Sequence, residues 1–261
     1  MSNQLSVRQS KPRLNYVVDG HPRTQYRGFI YIYTCWMNII FQVMYLAALV
    51  AYGIVPNNMF TAASTCYCVV VAIHSSLCVE YHTLDIKAKN YDSSILNYEL
   101  CIQKYDYIFA YAINVTSCIL FDTMFLTKET DIHGLHAMLW TTSIFKVALF
   151  IVFAVSLKIP ASYQWNEFIA VGIILSIIDA ITIVTLIIYY YYGYIKHGYI
   201  LLAFGVAETL AIVGASTHVI GRLLNLNKSP RFNTHDIMHV GIVAAIVVSY
   251  IVISLFVFDK I

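Results

Sequence analysis

The sequence predicts an all-α integral membrane protein, a bundle of seven transmembrane helices. Hydrophobic residues make up 59% of the 261 residues and charged residues only 11%, whereas a soluble domain carries about 25% charged residues. A spanning helix needs about 20 largely apolar residues, and seven stretches of this kind follow one another. They cover residues 28–55, 58–82, 105–127, 134–157, 167–195, 198–224 and 235–258.

Turn and loop signals separate these stretches. Pro56 and two asparagines divide the first from the second, and Pro230 lies between the sixth and the seventh. The longest connection is the polar segment 83–104. Four consecutive tyrosines, Tyr189–Tyr192, are typical of an aromatic belt at a membrane interface. We therefore expect a basic polar tail, one membrane domain and a short C-terminal end, at 1–27, 28–258 and 259–261.

The charge balance and the cysteines exclude two other classes of protein. A net charge of +2 is too balanced for a nucleic-acid-binding protein, so no nucleic-acid partner is expected. The six cysteines lie within or beside apolar segments. They are therefore expected to be free thiols in the membrane rather than a disulfide framework.

The distribution of Lys and Arg predicts an orientation. Twelve of these residues lie on the N-terminal side of the predicted bundle and three on the opposite side, with Lys146 inside the fourth stretch. Because cytoplasmic loops carry an excess of Lys and Arg, this bias favours a cytoplasmic N-terminus.

Several ionisable residues fall inside the apolar stretches. Each costs about 2.5–3.5 kcal/mol at the membrane centre on insertion scales, so such residues pair with one another or serve a function. For Lys146, Asp179 and Glu208 we expect mutual pairing or a shared polar cavity. The other candidates are Glu80, Asp106, Asp122 and His218.

Three histidines form a candidate metal site. His235 and His239 are four residues apart at the start of the seventh stretch, so both point from one helix face. His82 ends the second stretch, which reaches the same side of the membrane in an up-and-down bundle. Three imidazoles and a water form a common zinc arrangement. The alternative is that the pair at the start of the seventh stretch is only a polar cap.

The second stretch supports the metal interpretation. His74, Cys78 and His82 recur every four residues and give it a polar stripe. Asp85, three residues after His82, is placed to orient an imidazole by accepting its N–H. The alternative is that Asp85 simply begins the following loop.

Three short strings resemble the myomaker branch of the CREST seven-transmembrane superfamily. They are Cys78-Val-Glu-Tyr-His82-Thr-Leu-Asp85, Leu100-Cys101-Ile-Gln-Lys-Tyr-Asp106 and His235-Asp-Ile-Met-His239. Their order and spacing extend the likeness over residues 58–258. The resemblance implies zinc held by His82, His235 and His239, with Cys78, Asp85 and Asp106 nearby, and an N-terminus outside the cell.

The same resemblance implies a multi-pass plasma-membrane protein that promotes fusion of myoblasts by mixing their outer leaflets. It also implies a homodimer in contact with membrane lipids, a separate fusion partner and a structural zinc. Hydrolytic members of the superfamily carry a serine where this chain has Cys78 and an acid where it has Ala112. These departures favour a role without catalysis, and the sequence assigns no catalytic residue.

Two alternatives stay open. One is a zinc-dependent lipid hydrolase that cleaves an amide or ester in ceramide or phospholipid, with zinc activating a water. The other is a ligand-sensing receptor similar to the adiponectin receptors, which share the three histidines.

Overall fold

The protein is described from a computed structural model, which describes residues 59–87, 93–128, 134–158, 165–224 and 234–258 together with scattered residues between 36 and 47. Within these ranges the chain forms helices joined by short turns, without a strand. The helices are α1 (Met59–Lys87), α2 (Ser93–Lys128), α3 (Leu135–Ser156), α4 (Trp165–Tyr191), α5 (Gly198–Leu223) and α6 (Thr234–Phe258).

All six helices are long and apolar enough to cross a membrane. They correspond to the second through seventh predicted stretches, and they fit a multi-pass membrane protein. The first stretch, 28–55, lies largely outside the described residues, although those described between 36 and 47 are helical. The tail 1–27 and the end 259–261 also lie outside. The count of seven helices therefore stays a prediction.

The prediction that segment 83–104 is a loop between helices is wrong, because most of this segment is helical. Helix α1 continues to Lys87 and α2 already begins at Ser93. Hydropathy marks where a helix touches lipid, whereas backbone hydrogen bonds continue the helix through polar residues into water. The 36 residues of α2 extend about 54 Å at 1.5 Å per residue, well beyond the roughly 30 Å hydrocarbon core.

Helix α2 is the centre of the bundle, because it packs against α1, α3 and α5. Its Phe121 stacks on Phe204 of α5 with ring centroids 4.8 Å apart. Between α1 and α6, Phe60 and Phe256 lie 4.4 Å apart and close the bundle. The outer faces of α3 and α4 remain apolar and exposed, as expected for surfaces that face lipid.

Helices α5 and α6 approach most closely at two glycines. A Cβ added at Gly241 would lie 2.7 Å from the carbonyl oxygen of Leu210 and 3.1 Å from the Cα of Gly214. Small residues let backbones approach in this way in membrane bundles. The two backbones are therefore in direct contact at this crossing.

Helix α4 ends at a glycine-dependent turn. Gly193 has a φ of +75°, and its N–H donates to Tyr190 O at 2.9 Å, while the N–H of Tyr194 donates to Tyr189 O at 2.9 Å. Left-handed glycine is the usual C-terminal cap of a helix. The turn holds exposed tyrosines at one end of the span, which fits the predicted aromatic belt.

Candidate functional site

The predicted zinc ligands are only partly within the described structure. His239 is a buried residue near the start of α6. The backbones of His82 and His235 lie in α1 and α6, but their side chains, like that of Asp85, lie outside the described residues. The grouping of the three histidines therefore stays a prediction.

The structure brings Cys78 and Asp106 together, with His74 as a third member. The Sγ of Cys78 donates to Oδ1 of Asp106 at 2.9 Å. The same Oδ1 lies 3.6 Å from Nε2 of His74, and Cys78 Sγ lies 3.5 Å from that nitrogen. His74 and Cys78 are buried. One sulfur, one nitrogen and one oxygen thus form a small triangle.

Helix geometry explains this triangle. His74 and Cys78 are four residues apart in α1, so their side chains project from one face. Asp106 comes from the neighbouring helix α2, five residues before the mostly buried stretch that begins at Tyr111. The packing of α1 against α2 carries the carboxylate to the two side chains.

The three atoms have a spacing that suits a tetrahedral metal. Zinc bonds of about 2.3 Å to sulfur and 2.0–2.2 Å to nitrogen or oxygen place tetrahedral ligand atoms roughly 3.3–3.6 Å apart. Two of the observed distances, 3.5 and 3.6 Å, match this requirement. The third, the 2.9 Å hydrogen bond, would lengthen by about 0.6 Å on loss of the thiol proton to a metal. His74, Cys78 and Asp106 can therefore hold a metal ion.

The sequence predicts two members of this triangle, Cys78 and Asp106, near a metal, and it assigns the third, His74, only to the polar stripe of α1. The four-residue spacing of His74 and Cys78 is the signal that identifies His74 as a further candidate. The resemblance implies His82 as a ligand instead, four residues beyond Cys78, and that assignment stays a prediction.

A second polar cluster lies deeper in the membrane, between α2, α3, α4 and α5. The Nζ of Lys146 lies 2.7 Å from Oδ1 of Asp179. Cys118 donates to the same Oδ1 at 3.2 Å, and Asn114 Nδ2 donates to Asp179 at 3.4 Å and to Glu208 at 3.3 Å. Cys118, Asp179 and Glu208 can also hold a metal ion. The expected pairing of the intramembrane charges is confirmed for Lys146 and Asp179.

The charges of this cluster do not balance among the described residues. Asp179 and Glu208 are 0% and 4% exposed, and Asp122, which interacts electrostatically with Lys146, is 2% exposed. Three ionised carboxylates against one ammonium would leave two uncompensated negative charges in a low-dielectric interior, where each costs several kcal/mol. The cluster therefore has to hold protons or a further cation. It is able to bind protons or a metal ion, and it links four helices.

Comparison of the chain with protein-family models, with curated proteins and with solved structures gave no match. The resemblance to the myomaker branch therefore depends on the three strings alone.

Proposed function

We propose that the chain is a multi-pass membrane protein that binds zinc inside its helix bundle and uses it to hydrolyse membrane lipids. The observation that carries this proposal is the triangle of His74, Cys78 and Asp106, whose ligand atoms lie 2.9–3.6 Å apart. A thiolate, an imidazole and a carboxylate are all zinc ligands. The surrounding helices exclude bulk water, and the lipid bilayer is the nearest source of a substrate.

The ligand set favours catalysis over a purely structural site. Among the described residues, three protein ligands leave a fourth position open, as in catalytic zinc centres, whereas structural sites use four. Zinc bound there would polarise a lipid carbonyl and generate a nucleophilic water at neutral pH. The substrate class would be a lipid ester or amide.

The resemblance supports a different ligand set at a different depth. His74 and His82 are eight residues apart, about 12 Å along a helix axis, so one ion cannot bind both. Cys78 lies between them, about 6 Å along the axis from each. A zinc ion held by His82, His235 and His239 would therefore have no ligand in common with an ion held by the triangle. The two ligand sets are therefore separable by mutation.

The test is the metal content and lipid-cleaving activity of the purified full-length chain in detergent and in vesicles. We expect about one zinc ion per chain, lost in His74→Ala and Cys78→Ala and kept in His197→Ala, a histidine beyond the opposite ends of the spans. Asp106→Asn should lower zinc-dependent release of fatty acid from a labelled phospholipid or ceramide by about 100-fold or more. Zinc retained in His74→Ala but lost in His239→Ala would assign the ion to the three histidines that the resemblance implies. No cleavage by a zinc-loaded chain would reject the hydrolase.

A second candidate is the fusion of myoblasts that the resemblance implies. One observation favours it: Cys78 replaces a catalytic serine, and its thiol is engaged by Asp106, so the metal region can serve to hold α1 and α2 together. In this proposal the protein acts in the plasma membrane as a homodimer with a separate fusion partner, and the zinc is structural.

Cell mixing distinguishes the second candidate from the first. Fibroblasts expressing the chain would be mixed with fibroblasts that carry a fusion-competent member of the myomaker branch and its partner, and shared cytoplasm would be counted. Fusion requires mixing above background by the unchanged protein at confirmed surface expression, compared with fibroblasts that do not express it. Lipid cleavage without mixing would exclude fusion.

A further inference from the structure

The cluster around Lys146 and Asp179 lies at the middle of the membrane. Lys146, Asp179 and Glu208 are each within two residues of the midpoint of their spans in α3, α4 and α5, and Asn114 is the midpoint of the α2 span. Two residues correspond to about 3 Å along a helix axis. Ionisable side chains at this depth are rare and mark ion or proton sites. The cluster is thus at the depth at which transporters bind their ions.

One sulfur and two carboxylates of the cluster lie at distances that suit the ligands of a single ion. Cys118 Sγ lies 3.2 Å from Oδ1 of Asp179 and 3.8 Å from Oε1 of Glu208. Tetrahedral ligands of zinc lie roughly 3.3–3.6 Å apart, so small shifts bring the three atoms to this spacing. A thiol has one hydrogen and donates to only one of the two carboxylates at a time, whereas a thiolate binds an ion together with both.

Two buried oxygens of the cluster have no hydrogen-bond partner among the described residues. One is Oδ1 of Asn114, whose Nδ2 donates to Asp179 at 3.4 Å and to Glu208 at 3.3 Å. A half-turn of this amide would direct its oxygen toward the two carboxylates, which is repulsive unless a cation lies between them. The other is Oδ1 of Asp122, a 2% exposed residue that interacts electrostatically with Lys146 and Asp179. Buried oxygens without a donor favour a bound cation.

The charges and the sulfur together select a divalent transition metal. With a thiolate at Cys118 and carboxylates at Asp179 and Glu208, the ligands carry three negative charges. Lys146 supplies one positive charge through its 2.7 Å ion pair, and one divalent ion supplies the other two. Asp122 then keeps its proton, and the cluster is neutral in an interior where uncompensated charge is strongly disfavoured. Thiolate ligation favours transition metals over calcium and magnesium, which prefer oxygen.

We propose that this cluster is a second metal site, which binds one divalent transition-metal ion through Cys118, Asp179 and Glu208. The amide oxygen of Asn114 is placed to become the fourth ligand. The ammonium of Lys146 repels a cation, so this ion binds more weakly than the ion at the triangle and exchanges with ions added to the solution. The proposal is independent of lipid hydrolysis, which concerns the triangle alone.

The test is a titration of the purified full-length chain in detergent with Co²⁺, after the triangle has been loaded with zinc. Cobalt bound by a thiolate gives a charge-transfer absorption that hydrated cobalt lacks, so the unchanged chain reports a second ion directly. We expect the absorption to saturate at about one cobalt ion per chain and to be absent in Cys118→Ser. Cys78→Ser, and Cys66→Ser at an exposed cysteine, should both keep it. Absorption that persists in Cys118→Ser and disappears in Cys78→Ser would place the cobalt in the triangle and overturn the proposal.

Two charge variants separate metal binding from a structural role of the cluster. Lys146→Met removes the repelling ammonium and should raise the affinity for Co²⁺ about 10-fold or more, whereas Glu208→Gln removes a ligand and should lower it by a similar factor. Lys158→Met, at an exposed lysine, should leave the affinity unchanged. A cluster that only holds the helices together would lose stability in both variants without opposite changes in affinity. No saturable absorption in the unchanged chain, or equal affinity in Lys146→Met and the unchanged chain, would overturn the proposal.

Discussion

Lys146 is the residue on which the electrostatics of the bundle interior depend. It is fully buried and forms the 2.7 Å ion pair with Asp179. A buried ion pair is not itself strong evidence of stability, because desolvation offsets its attraction. Removal of one partner is different, since it leaves an uncompensated charge among apolar neighbours.

We expect Lys146→Met to lower the free energy of unfolding by about 3–5 kcal/mol. The double variant Lys146→Met/Asp179→Asn should recover much of this loss, because the carboxylate that forms the ion pair with Lys146 is removed together with it. Thermal unfolding in detergent measures both, with Lys158→Met, an exposed lysine, as control. A double variant less stable than Lys146→Met would contradict this explanation.

At the level of single residues, the sequence predicts which polar residues lie inside the membrane better than it predicts which residues they contact. The intramembrane charges are evident because each costs free energy in lipid. Which carboxylate meets Lys146 depends on the rotation of four helices about their axes. The position of His74 beside Asp106 depends in the same way on the relative shift of α1 and α2, which no local pattern encodes.

The helices pack against one another through small residues as well as through large ones. The contact of Gly214 with Gly241 joins α5 and α6 where a larger side chain would force the backbones apart. Aromatic pairs such as Phe121 and Phe204 fill the wider crossing between α2 and α5.

We expect Gly241→Ala to destabilise the protein by roughly 1–3 kcal/mol, because its Cβ would overlap the backbone of α5. Gly205→Ala provides a matched control, since nothing lies within 4 Å of a Cβ added there. That variant should gain about 0.5–1 kcal/mol, because alanine loses less backbone entropy in a helix. Thermal unfolding in detergent measures the stability of both variants. Similar changes in stability for Gly241→Ala and Gly205→Ala would show that the contact between Gly214 and Gly241 has no special role.

The existence of six long apolar helices could be predicted from apolar length alone, and the structure confirms these helices, each of which could cross a membrane. Helix ends could not, because α1 and α2 continue as helices through polar residues such as Lys87 and Ser93. Apolar length reports the thickness of the membrane, whereas the helix end depends on where backbone hydrogen bonding stops.

The whole molecule carries its two polar centres at different depths. The triangle lies near the end where α1 leaves the membrane and α2 enters it. The cluster of Lys146 and Asp179 lies near the middle of the spans of α3 and α4.

We expect the triangle to face the cytoplasmic side, because the bias of Lys and Arg toward that end follows the positive-inside rule. A glycosylation acceptor inserted between α1 and α2, within 88–92, should therefore stay unmodified in mammalian cells. The same acceptor between α2 and α3, within 129–133, should be glycosylated. The reverse pattern would support the orientation implied by the resemblance.

The pairing of Lys146 with Asp179 also constrains how the chain enters the membrane during synthesis. Lys146 emerges from the ribosome about 33 residues before Asp179, so α3 reaches the insertion machinery without the carboxylate of its ion pair, and a lysine at the membrane centre costs about 2.5–3.5 kcal/mol. Release of α3 into lipid therefore becomes more favourable once α4 has arrived. Helices α3 and α4 should consequently leave the translocon together, and a nascent chain that ends before Asp179 should keep α3 in contact with it.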